Sequence, residues 1–165
     1  MALLWFDGFE TYDVFSDMNI VNSFMNGCTA NALIGAYGRN GGRGILIGNG
    51  GAVSMTFDNN YTTLIFGFAY YGGNLYTSKS NSMLYLKDGT TIQLAFYVIS
   101  PEIAVYRNVG DLLLGTTSGA NLVNGWQYIE LKFTIDNSAG AVAIRVNGNQ
   151  VLNLTNQDYL YIKLL

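Results

Sequence analysis

Residues 125–151 read GWQYIELKFTIDNSAGAVAIRVNGNQV, and this stretch decides the fold class. Ile129, Leu131, Phe133 and Ile135 share one parity, while Tyr128, Glu130, Lys132 and Thr134 share the other. Beyond Asp136-Asn137-Ser138-Ala139-Gly140, Val142, Ile144 and Val146 alternate with Ala143, Arg145 and Asn147. Successive side chains of an extended chain point to opposite faces, so this alternation marks antiparallel strands with one face buried and one wet. The Asp136–Gly140 run supplies one reversal and Asn147-Gly148 a second. Asn tolerates and Gly favours the positive φ that tight hairpin turns require.

The same grammar extends through the chain. Asn-Gly recurs at 26–27, 40–41, 49–50 and 124–125, and Asp-Gly at 7–8 and 88–89. Between these turn signals lie strand-like runs at 2–6, 33–37, 44–47, 52–57, 62–70, 82–86, 91–99, 103–108, 111–117, 126–135, 140–147, 150–154 and 159–164. So many short strands, with no sustained helical period, imply an all-β chain folded as a two-sheet antiparallel sandwich. Only residues 12–18, capped by Thr11 or Asp13, offer room for a short helix. The inward stripes are expected to be Leu64, Phe66 and Phe68; Ile92, Leu94, Phe96 and Val98; and Val53, Met55 and Phe57. Burying each such side chain contributes roughly 1.5–3 kcal/mol, which fixes strand register. With 165 residues and no linker, repeat or low-complexity tract, residues 1–165 are expected to form a single domain.

Composition narrows the function. Half the residues are hydrophobic and 12% charged, with a formal net charge of −3, so no basic field steers the chain toward nucleic acid. The single cysteine, Cys28, permits no internal disulfide, and without histidine it lacks the usual partner of a nucleophile. The N-terminal apolar run is too short for a signal sequence, and the apolar stretch at 63–71 is too short to span a bilayer. The chain is expected to stay in a cytosol or to be assembled into a particle there.

A two-sheet sandwich is compatible with an immunoglobulin-like domain, a viral jelly roll or a lectin-like jelly roll, and three stretches favour the last. Trp126 followed by alternating apolar residues, Asp136, Gly140 and the Val146-Asn147-Gly148 hairpin resembles a stretch of laminin-G-like and concanavalin A-like domains. Asp7-Gly8-Phe9-Glu10 resembles the opening of these jelly rolls. Residues 43–47, Phe57 and residues 64–70 are similar to their central strands. Compact versions with this opening and a surface rich in Gly, Asn and Tyr resemble structural proteins of tailed bacteriophages. The resemblance implies a non-enzymatic virion protein assembled in the host cytoplasm. It would be a decoration or cement subunit on the outer surface of the head, partnered by the major capsid protein and by copies of itself. The alternative it leaves open is a carbohydrate- or receptor-binding module of a tail fibre or spike, with a glycan as partner.

The residues offer little chemistry of their own. Hydrolases on such sandwiches place paired carboxyls at Glu-x-Asp-x-(x)-Glu spacing on one strand, because residues two or four apart share a face. The three glutamates, Glu10, Glu102 and Glu130, have no carboxylate partner at that spacing, and Glu130 reads as an exposed cross-strand charge. The glycine cluster at 38–44 lacks the Gly-Lys-Ser/Thr ending of a phosphate loop and reads as an inter-strand loop. Asp58-Asn59-Asn60, Asp111 and Asp136-Asn137 carry oxygens suited to calcium, but no dense acidic loop gathers them, and no catalytic residue, metal or cofactor is expected. The candidate contact surface is Tyr70, Tyr71, Asn74 and Tyr76, a tyrosine-rich segment suited to amphipathic contacts with a protein neighbour or a sugar.

Overall fold

A computed structural model describes residues 27–28, 32–36, 38–47, 52–54, 56–57, 61–72, 82–107, 112–122, 125–136 and 138–157. They group into two compact units, Met1–Asn60 and Tyr61–Leu165. In the first unit β1 (Gly27–Cys28) pairs antiparallel with β4 (Val53–Ser54), and β2 (Ala32–Gly35) with β3 (Gly44–Ile47). The glycine cluster joins β2 to β3, as an inter-strand loop should. It turns through Asn40 and Gly41 at φ 57 and 78°, closed by the Gly38 N–H donating to the Gly42 carbonyl at 2.9 Å.

The second unit holds β5 (Thr63–Gly72), β6 (Ser82–Asp88), β7 (Thr91–Ile99), β8 (Glu102–Arg107), β9 (Leu112–Thr116), β10 (Gly125–Thr134), β11 (Gly140–Val146) and β12 (Asn149–Gln157). Two four-stranded antiparallel sheets result, in the orders β12-β11-β10-β5 and β6-β7-β8-β9. The chain leaves the first sheet after β5, builds the whole second sheet, and returns so that β10 lies beside β5. The two sheets pack face to face as a β-sandwich.

The alternation in residues 125–151 has its expected physical outcome. Ile129, Leu131, Phe133, Val142, Ile144 and Val146 are all buried, and they meet Leu94, Phe96, Val98, Ile103 and Val105 of the opposite sheet. Phe133 bridges the layers, its ring centroid 5.8 Å from Phe66 within the sheet and 6.5 Å from Phe96 across the sandwich. Leu64, Phe66 and Phe68 pack against this core as expected. Ile92 does not join its expected stripe. A register shift opposite Leu86 and Lys87 turns it toward a separate buried group, Ala95, Tyr97, Ala104 and Tyr106, on the outer face of the second sheet. Val53 and Met55 of the third stripe lie outside the described side chains, as do residues 2–6, 12–18 and 159–164.

Both reversals of the opening stretch are built as their chemistry dictates. An Asp136 carboxylate oxygen accepts the Ser138 and Ala139 backbone N–H groups, each at 2.8 Å, which closes the β10–β11 turn. These bonds favour the ionised form and hold the Asp136 pKa below its usual value of 3.8. Asn147 and Gly148, at φ 51 and 82°, form the two-residue turn into β12. At the far edge, Leu152 and Leu154 of β12 close over Gly115 of β9, where a side chain would meet the Leu154 methyl at 3.0 Å.

Candidate functional site

The return from β9 to β10 sets where β10 begins, and one carboxylate holds it. Glu102, at the start of β8, accepts the Gly119 N–H on Oε1 at 3.1 Å and the Ala120 N–H on Oε2 at 3.2 Å. Oε2 also accepts the Thr117 hydroxyl. The Thr117 oxygen in turn accepts the Ile103 N–H at 2.9 Å, and the Leu122 N–H donates to the Pro101 carbonyl at 2.8 Å. Residues 117–122 are thus stitched to the β7–β8 reversal, and β10 starts in fixed register at Gly125 opposite Gly72.

That register creates the most distinctive surface of the sandwich. Because the buried residues of β10 are odd-numbered, Trp126 and Tyr128 share the outer face with Glu130, Lys132 and Thr134. Trp126 lies directly opposite Tyr71, and their rings meet edge to face at 5.4 Å and 63°. Tyr128 leans diagonally over Gly67 of β5, where an added Cβ would sit 3.1 Å from its ring carbon Cζ. The missing side chain of Gly67 is therefore what lets this ring lie across the strand. Tyr71, Tyr128 and Ile65 are 55%, 47% and 43% exposed, so three large apolar groups stand open along one ladder.

Polar groups frame this stripe. Arg145 on β11 donates to Glu130 at 2.9 Å across directly paired positions. Glu130 is thus a cross-strand ion-pair partner, the role its position on the wet face suggested. The hydroxyls of Thr63 and Thr134 bond at 3.0 Å at the opposite end of the β5–β10 ladder from Tyr71 and Trp126. The Asn147 side chain accepts the Tyr128 N–H at 2.9 Å and donates to Gln127, tying the turn to the aromatic strand.

Of the four residues named from the sequence, Tyr71 belongs to this surface. Tyr70 points the other way and packs half-buried against the core, since neighbours in a strand face opposite sides. Asn74 and Tyr76 lie outside the described residues. Trp126 and Tyr128 were not singled out as contact residues. Their signal was present in the alternation, as two aromatic rings at positions of β10 that belong to the wet face.

The other oxygens considered for chemistry have structural partners or fall outside the description. Asp136 is engaged by its turn amides and Glu102 by the crossover. Asp58, Asn59, Asn60, Asp111, Asn137 and Glu10 are not among the described residues. No group of three or more His, Cys, Asp or Glu side chains converges among the described residues. Comparison with protein-family models, curated proteins and solved structures finds no match.

Proposed function

We propose that this chain is a non-enzymatic structural protein of a bacteriophage particle, a decoration subunit that binds the outer surface of the head. In this reading the sandwich is a jelly roll of the concanavalin A-like or laminin-G-like kind, and it is assembled into virions in the host cytoplasm. The observation that carries the adhesive part is the aromatic stripe in which Tyr71 and Tyr128 stand exposed beside a partly buried Trp126. Tyrosine and tryptophan on a rigid sheet offer large contact area at small entropic cost, and they dominate the energetics of protein contacts. The engaged carboxylates of Glu102 and Glu130 support a binding role over a hydrolytic one. The jelly-roll kind rests on the resemblance of residues 7–10, 43–47, 57, 64–70 and 126–148 to such domains, and the phage setting on the opening at residues 7–10 together with the surface rich in Gly, Asn and Tyr.

The partners in this reading are the major capsid protein and further copies of the chain. Heads assembled without this protein, mixed with purified chain and pelleted, test it. Saturable binding at a fixed ratio to the capsid protein is expected, and failure to co-sediment at any ratio refutes the proposal. A second reading, a carbohydrate-binding module of a tail fibre, draws on the same edge-to-face pair of Tyr71 and Trp126, on which a sugar ring can stack. Binding to a glycan array that is lost in Tyr71→Ala, without binding to heads, would favour it.

A further inference from the structure

Among the described residues the second sheet ends at β9, and β9 carries two successive exposed leucines, Leu112 at 48% and Leu113 at 50%. Leu113 is paired with Tyr106, which belongs to the outer-face group, and Leu112 with Arg107 at the next position. Successive strand residues face opposite sides, so one leucine is open on each face of the same edge. A partner lying on a sheet face can cover only one of them. A strand added at the edge covers both at once, and its backbone meets the edge amides and carbonyls of β9.

Among the described residues, the other outermost strands of the sandwich lack this signature. β6 ends in Lys87 and Asp88, charges that protect an edge. β12 is rich in Asn, Gln and Thr, while β5 alternates in exposure, so only its outer face is open. β9, Leu-Leu-Leu-Gly-Thr, contains neither charge nor proline. Its register shift lies opposite the Val105–Tyr106 step, beyond the exposed pair.

We infer that β9 is a self-association edge, taken by β9 of a second copy of this chain paired antiparallel about a two-fold axis. An uncharged antiparallel edge is complementary to itself, since rotation brings its N–H groups opposite its own carbonyls and no like charges meet. Two half-exposed leucines and one short ladder fall well below the roughly 800 Å² per partner of a stable complex, so the dimer is reversible and concentration-dependent. Copies held side by side on a shared surface would associate through this edge at their raised local concentration. The inference does not depend on what the aromatic stripe binds.

Sedimentation velocity of the full chain over a dilution series from micromolar to millimolar tests it, with Leu112→Lys and Leu113→Lys measured beside wild type. The wild-type mass should rise toward that of a dimer. Each lysine variant should weaken association by about tenfold or more, as a charge at a buried contact does, with thermal unfolding unchanged. Should a lysine variant fold poorly, the milder Leu112→Thr and Leu113→Thr replace it. A wild type that stays monomeric throughout overturns the inference. So does dissociation by only one of the two substitutions, which would indicate docking on a face.

Discussion

Replacing Glu102 tests whether a single carboxylate fixes the crossover that delivers β10 to the aromatic surface. In Glu102→Ala three bonds vanish together. Ala120 is only 3% exposed, so its N–H loses its acceptor with little access to water, at a cost of about 1–3 kcal/mol. The Gly119 N–H is exposed, so water replaces the carboxylate there and the loss is about 0.5 kcal/mol. Thr117 loses the acceptor for its hydroxyl but still accepts the Ile103 N–H, adding about 0.5–1 kcal/mol. The sum is about 2–4.5 kcal/mol. Glu102→Gln keeps an oxygen where Oε2 serves Thr117 and Ala120, and sets its NH₂ against the exposed Gly119 N–H, so it should cost only about 1 kcal/mol. Urea unfolding reads this directly as a midpoint shift of about 1–2 M for alanine and less than half that for glutamine, at constant slope. An alanine variant within about 0.5 kcal/mol of wild type, or a glutamine variant as unstable as alanine, would show that these bonds do not hold the crossover.

Four further substitutions probe the turns, the core and the surface. Asp136→Asn should remove an acid-sensitive increment of stability. The folded pKa of Asp136 lies below 3.8, so the advantage of wild type is full above the unfolded value and disappears as pH falls through the folded one, as paired urea titrations from neutral to strongly acid pH would show. Gly148→Ala places a side chain at φ 82° and should cost about 1–2 kcal/mol, measured as a lowered melting temperature. Phe133→Ala empties the ring that joins Phe66 to Phe96 and should cost about 3–5 kcal/mol by the same measurement. Gly67→Ala should change stability by less than about 1 kcal/mol, because the Tyr128 ring can swing aside, yet it should shift the Tyr128 ring signals in NMR spectra.

Much of the sandwich was legible because one physical rule dominates its strands. Where one face is buried and the other wet, as in β10 and β11, alternation names the strand, the register and the core together. The turns at Asp136 and Asn147 were equally readable, since their chemistry is local. Pairing between distant strands was not, and that is where the site was lost. Nothing local to Tyr70-Tyr71 says that Gly72 pairs with Gly125, which extends β5 and divides the two tyrosines between core and surface. The same long-range pairing brings Trp126 to Tyr71. β7 obscured its own pattern for another reason. Residues 93–98 are buried on both faces, so small Ala95 and large Tyr97 replace the polar side chains that normally mark an outer face.

In the proposed function, Tyr71, Trp126 and Tyr128 form the surface by which this chain attaches to a phage head. A titration of undecorated heads with wild type and with the Tyr71→Ala, Tyr128→Ala double variant, read as bound chain per capsid subunit, tests it most directly. Saturable wild-type binding is predicted, with affinity reduced at least about tenfold in the double variant while its melting temperature stays unchanged. A double variant that binds as tightly as wild type, or a wild type that does not bind at all, would contradict it.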